Sequence, residues 1–135
     1  YSVYSMSNCY TTHGIFSIYA GVAHEKVEEA IAAIAGELYF LKAAGVTDDE
    51  LHMAKEQMKS SYTFSQENVN SRMFSIGRGA LLLSRIKTPQ EIIEEVDAVT
   101  MDGIREAAGL IADIADYSGV LITRKDKNLK KLLRA

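Results

Sequence analysis

The strongest constraint in this sequence is a change of hydrophobic period: two as far as Ala23, about 3.6 after it. Before the switch, residues 1–10 and 15–20 are dense in β-branched and aromatic side chains, and Thr11-Thr12-His13-Gly14 supplies a short turn between them. That pattern predicts a β-hairpin. Its second strand, GIFSIYAG, is apolar on both faces, as expected of a strand covered on two sides or lining an enclosed space. After the switch, Val27, Ile31, Ile34, Leu38 and Leu41 form one helical stripe, with Glu25, Glu28 and Glu29 in the first turn, where the helix dipole favours negative charge. Gly45 ends that helix.

Start signals divide the rest of the chain. Thr47-Asp48-Asp49-Glu50 is a capping box for a helix with Leu51, Ala54 and Met58 on one face. The stretch SSYTFSQENVNS interrupts the pattern with β-branched and small polar residues and predicts a kink or break. Helical spacing returns through Val69, Met73, Ile76, Ala80 and Leu83. Thr88-Pro89-Gln90-Glu91 is the clearest start, with Thr as N-cap, Pro at the first helical position and Glu at the third; Ile92, Ile93, Val96 and Val99 follow. Thr100 opens a further helix to Ala112, and residues 117–123, containing VLIT, read as a last buried strand. Strand, strand, helices, strand predicts an α+β domain, an antiparallel sheet with helices packed on one face. Three strands are few beneath so many helices. The expectation is a domain incomplete at its N-terminal side, its other strands upstream of Tyr1.

Composition narrows the function. With 135 residues, 47% hydrophobic and 24% charged, the chain suits a single globular domain with a real core. No apolar run approaches the roughly 20 residues of a membrane-spanning helix. Cys9 is the single cysteine, so no internal disulfide forms, and its expected role is a buried small hydrophobe and not a reactive thiol. The net charge of −3 hides an asymmetry. Arg124, Lys125, Lys127, Lys130, Lys131 and Arg134 stand against one acid, Asp126, which leaves nine basic and seventeen acidic residues elsewhere, a net of −8. Such a body repels phosphate backbones and argues against nucleic acid. The basic tail, with Leu129, Leu132 and Leu133 at helical spacing, predicts a solvated terminal helix.

No catalytic constellation is complete. Zinc motifs set two histidines four apart on one helical face, as in H-x-x-E-H. Here His13, His24 and His52 sit in a turn, before a helix and on an acidic helix, and four positions after His52 lies Glu56. His24 with Glu25, Glu28 and Glu29 reads as a polar helix entrance. No G-x-S-x-G elbow occurs, GRG lacks the context of a phosphate loop, and Asp48-Asp49 and Glu94-Glu95 belong to caps or solvated faces. By its own inventory the chain is not a complete enzyme.

Six pieces in one order carry a more specific reading. YSVYS, GIFSIYAG, EKVEEAI, GVTDDELHMAKEQMKSS, NSRMFSIGRGALL and the helix from TPQEI to DAVT resemble the pitrilysin/insulinase family of zinc peptidases. The likeness is greatest to its mitochondrial-processing-peptidase-like and bacterial processing-protease branch, and it covers the chain nearly to the last predicted strand. The resemblance implies two homologous α+β domains closing on substrate like a clamshell. The first holds zinc through H-x-x-E-H and a downstream Glu; the second faces it, and this chain resembles the later part of the second. In the family a Tyr follows an Arg by a few residues, and Tyr1 matches that Tyr, while the Arg and the zinc ligands have no counterpart here.

The chemistry of such a Tyr can be stated independently. Attack on a peptide carbonyl generates an oxyanion, to which a phenolic hydroxyl can donate a hydrogen bond worth roughly 3 kcal/mol, or about a hundredfold in rate. The bland alternative is that Tyr1 is a strand aromatic like Tyr4, Tyr10 and Tyr19. Ser71, Arg72, Gly77 and Arg78 also match recurring family positions, for which the expected role is helix packing, with Gly77 permitting close approach.

The resemblance therefore implies a fragment of a zinc endopeptidase that hydrolyses peptides or processes precursor proteins in a closed chamber, inactive alone and assisted at Tyr1. The expected partners are the N-terminal catalytic domain, in the same protein or a partner subunit, and a peptide substrate; neither nucleic acid nor membrane is expected, and a homo-oligomer is an alternative. The compartment implied is the cytoplasm of a bacterium, or else the mitochondrial matrix. Two other readings compete: a non-catalytic structural or substrate-binding subunit of the same fold, and an autonomous interaction domain.

Overall fold

The computed structural model describes residues 2–124 and 128–133. It divides into two units, one formed by Tyr1–Gly45 with Arg105–Ala135 and the other by Val46–Ile104. We call them the hairpin unit and the helical unit.

In the hairpin unit, β1 (Ser2–Cys9) pairs antiparallel with β2 (Gly14–Gly21), in a register running from Ser2 opposite Gly21 to Cys9 opposite Gly14. Residues 10–13 make the turn, closed by the Tyr10 N–H donating to the His13 carbonyl at 2.9 Å. Residues directly opposite share a face, so the register sorts the side chains into two sets. Tyr4, Met6, Ile15 and Tyr19 lie on one; Phe16 and Ile18 lie on the other with Ser5, Ser7 and Cys9. A single 3₁₀ turn, His24–Lys26, leads into α1 (Val27–Ala44). Its predicted stripe is present: Val27 and Leu38 are buried, and Ile31, Ile34 and Leu41 are half-buried. At Gly45 the backbone takes φ 72° and ψ −153°, a region open essentially to glycine alone, while its N–H still donates to the Leu41 carbonyl at 3.0 Å.

The helical unit holds α2 (Asp48–Ser65), α3 (Val69–Leu83), α4 (Pro89–Asp97) and the start of α5 (Met101–Ile111), which continues into the hairpin unit. Both predicted capping boxes form. The Thr47 N–H donates to Glu50 at 2.7 Å and the Glu50 N–H returns to Thr47 Oγ1 at 3.2 Å; Thr88 and Glu91 repeat the exchange at 2.6 and 3.2 Å. The expected break is narrower than its sequence. α2 continues to Ser65 because Thr63 and Ser65 turn their hydroxyls onto the carbonyls of Lys59 and Tyr62, satisfying themselves within the helix. The chain then reopens at Asn68, whose Oδ1 accepts from the Ser71 N–H at 3.1 Å. α4 lies against α2, where Lys59 donates to Asp97 and Glu56, and Lys55 to the Asp97 carbonyl.

Five sequence expectations need correction. Cys9, expected as a buried small hydrophobe, is exposed at the end of β1. Residues 117–123 form no strand: the segment is irregular, with Val120 and Ile122 92% and 94% exposed. A strand is defined by a hydrogen-bonded neighbour, and none is present among the described residues. The stripe on α3 exists but is uncovered, with Val69, Met73, Ile76 and Leu83 all exposed. Close approach belongs to Gly79, not Gly77. A Cβ at Gly77 would meet nothing within 4 Å, whereas at Gly79 it would sit 2.8 Å from the Arg85 carbonyl, where the chain turns back through Ser84 at φ 51°. The last helix, α6 (Leu129–Leu132), is one turn long, and its leucines are half-buried rather than solvated. Lys125, Asp126, Lys127 and Arg134 of the basic tail lie outside the described residues.

Candidate functional site

Tyr1, the residue to which the sequence points, lies outside the described residues. What the structure does describe is the hairpin it precedes. Among residues 2–21, Tyr4 and Tyr19 face each other across the ladder and stack with ring centroids 4.9 Å apart. Met6 and Ile15 continue that face, and all four side chains are exposed, between 43% and 52%. The opposite face turns inward, where Phe16 meets Tyr117 edge to face at 6.4 Å. Tyr117 donates its hydroxyl to the Ile111 carbonyl at 2.7 Å, and burial pushes that phenol above its ordinary pKa, so it is held as a neutral donor.

Behind Phe16 lies a predominantly apolar cavity of about 1220 Å³. Its walls belong to the hairpin unit alone: Phe16 and Ile18 of β2, Ile31 and Ile34 of α1, Leu110 of α5, and Leu121 of the irregular segment among them. Leu129 of α6 packs on Gly119, where an added Cβ would approach to 3.0 Å. The cavity is an open cleft and not an enclosed void, and its volume exceeds the roughly 300–1,000 Å³ of small-molecule sites.

Four titratable side chains, Cys9, Asp113, Asp116 and Tyr117, line that pocket. Among the described residues no three His, Cys, Asp or Glu side chains are placed to share a metal ion. His13 stacks on Tyr10 in the turn at 4.6 Å, His24 pairs with Glu25 at 3.0 Å, and His52 belongs to the helical unit. The described residues thus do not fit a zinc site. The perturbed carboxyls are structural. Glu50 and Glu91 are held below the ordinary carboxylate range first by the backbone N–H groups of Thr47 and Thr88, and Lys59 is raised by its hydrogen bonds to Asp97 and Glu56. Arg72 and Arg78 are exposed on α3. No single helix among the described residues is long and apolar enough to cross a membrane.

Reading the sequence by eye missed the Tyr4–Tyr19 pair and the Phe16–Tyr117 contact. The first had a signal, since a four-residue turn closed by Tyr10 and His13 pairs positions whose numbers sum to 23. The second had none, because 101 residues separate the partners.

Comparison with known proteins agrees with the hairpin and first-helix pattern. Residues 1–58 match the family model described as the peptidase M16 inactive domain. Over 123 residues, 91% of this chain, the sequence is 37% identical to an uncharacterized zinc protease, YmxG, of Bacillus subtilis. It is 27% identical over 132 residues to an uncharacterized zinc protease of Streptomyces coelicolor, and 29% identical over 121 residues to one of Rickettsia bellii. The chain spans about 30% of the length of these relatives, namely 30%, 29% and 29%. The family-model match over residues 1–58 and the 37% identity over 91% of the chain together assign it to the pitrilysin/insulinase family of zinc peptidases, as a segment of its C-terminal domain.

Proposed function

We propose that this chain works as part of the non-metal half of a zinc endopeptidase, supplying wall and substrate-facing surface to a chamber whose metal is held by another domain of the protein. The observation that carries the reading is the 37% identity to a zinc protease over nine tenths of the chain. Zinc supplies the activated nucleophile in such enzymes. This chain's own contribution is a hydrogen bond from the Tyr1 hydroxyl to the carbonyl oxygen under attack, a bond that strengthens as charge develops there.

The test is Tyr1→Phe in the full-length protein, assayed on an unstructured peptide. The variant should lose about a hundredfold in kcat with KM nearly unchanged, since an oxyanion donor acts in the transition state and not in the ground state. Zinc content should stay at the parental level. A variant with parental kcat would remove Tyr1 from the chemistry and leave it a strand aromatic. The competing non-catalytic subunit of the same fold is separated by the rest of the gene and its partners: it requires that H-x-x-E-H be absent from both.

A further inference from the structure

We propose that Tyr4 and Tyr19 form an oxidative cross-linking site, at which a one-electron oxidant joins the two phenols into a dityrosine and staples β1 to β2. The two residues are opposed in the hairpin register, and their rings stack with centroids 4.9 Å apart and planes 22° from parallel. Both side chains are about half exposed, 47% and 52%, so either ring is open to a small oxidant. Tyr19 leans over Gly21, two positions on along the same face: a Cβ there would stand 3.4 Å from the Tyr19 hydroxyl and 3.5 Å from its Cε1. Cε1 is one of the two ring carbons at which a phenoxyl radical couples, and glycine leaves that edge uncovered. Among the described residues no other tyrosine stacks on a tyrosine. Tyr10 stacks on His13, and Tyr117 meets Phe16 and donates its hydroxyl to the Ile111 carbonyl; Tyr39 and Tyr62 belong to α1 and α2.

The oxidant is an external one-electron acceptor, such as a photoexcited metal complex with persulfate as the terminal acceptor. Each phenol gives it one electron and releases the hydroxyl proton to water. The two phenoxyl radicals then join through ring carbons ortho to oxygen, and each of those carbons passes its hydrogen to the phenol oxygen as the ring regains aromaticity. The product is two hydrogen atoms lighter, and two equivalents of oxidant are reduced. The stack supplies the proximity: a radical on one ring already has its partner in contact, whereas a radical on an isolated tyrosine must wait for a collision.

The inference does not rest on the zinc reading, since it needs only the hairpin. It is tested on the full-length protein, with thiols alkylated beforehand, by brief illumination with a photoexcited ruthenium complex and persulfate, followed by peptide mapping. The link between Tyr4 and Tyr19 should be at least about tenfold more abundant than any other link made by Tyr4, Tyr10, Tyr19, Tyr39, Tyr62 or Tyr117, and its yield should not change when the protein is diluted. Tyr19→Phe keeps an aromatic ring in the stack and should leave Tyr4 unlinked, while the amides of α2 keep their protection from exchange. An equally abundant link elsewhere among these six tyrosines would overturn the proposal. So would a yield that falls with dilution alongside a doubling of mass, because the link would then join two copies. Transfer of Tyr4 to another tyrosine at the parental yield in Tyr19→Phe would also count against it, since the stack would then not direct the coupling.

Discussion

The two units are ordered by different means. In the hairpin unit the side chains that leave water, Val27, Leu38, Ala108 and Ala112, come from α1 and the end of α5, positions remote in sequence. In the helical unit no described residue is buried, and order is local: capping boxes at Thr47 and Thr88, an Asn cap at Asn68, and ion pairs joining Lys59 to Asp97, Arg85 to Glu91 and Lys87 to Glu95. Caps stabilise by about 1 kcal/mol each and exposed ion pairs by less, so the helical unit displays its apolar faces instead of using them. Val69, Met73, Phe74 and Leu81 are 56% to 83% exposed. Helix boundaries here are specified within a few residues, whereas burial of the apolar faces is not.

Four substitutions sharpen or break that comparison. The largest effect belongs to Leu38→Ala, which removes one of the few buried side chains and should cost about 2–5 kcal/mol. Urea denaturation would read it as a lower midpoint, and hydrogen exchange should localise the loss to the hairpin unit. Equal loss on α2 would show that the units unfold as one. Gly45→Ala comes next, at about 1–3 kcal/mol, because an L residue does not adopt φ 72° with ψ −153° without strain.

In the helical unit Thr88→Ala should cost about 1 kcal/mol and fray the start of α4, read from the exchange of its first amides. The same cap sets a pH dependence. Glu91 has its carboxyl held below the ordinary range, first by the Thr88 N–H and then by Arg85, so its contribution is complete above the unfolded value of about 4.3 and is lost as pH falls through the folded one. Helicity of α4 should fall with acid in that window. The smallest effect is Lys59→Met, a slight lowering of the urea midpoint, and it should shrink further in high salt.

That contrast also explains what could be read from the sequence. Thr47, Glu50, Thr88 and Glu91 were legible to the residue because a capping box closes over four positions. The stripe of α1 was legible because its own spacing creates it. The α3 stripe was legible as a pattern but not as exposed, since periodicity reports which face is apolar and not what covers it. The close approach at Gly79 was not legible because it comes from Arg85 after the chain reverses, with Ser84 in the left-handed region where Gly or Asn is usual. Residues 117–123 carried a strand's composition, but pairing needs a second backbone. The candidate site was legible only through family likeness, since Tyr1 differs in no local way from Tyr4 or Tyr10.

The central claim is that this chain belongs to a peptidase whose metal chemistry lies elsewhere in the protein. It is tested most directly by measuring zinc stoichiometry and peptide hydrolysis for the 135-residue chain, for the rest of the full-length protein, and for the two mixed. The account predicts no stoichiometric zinc and no hydrolysis by the chain alone, zinc on the remaining portion, and hydrolysis restored on mixing. One equivalent of tightly held zinc with peptide hydrolysis by these 135 residues alone would contradict it.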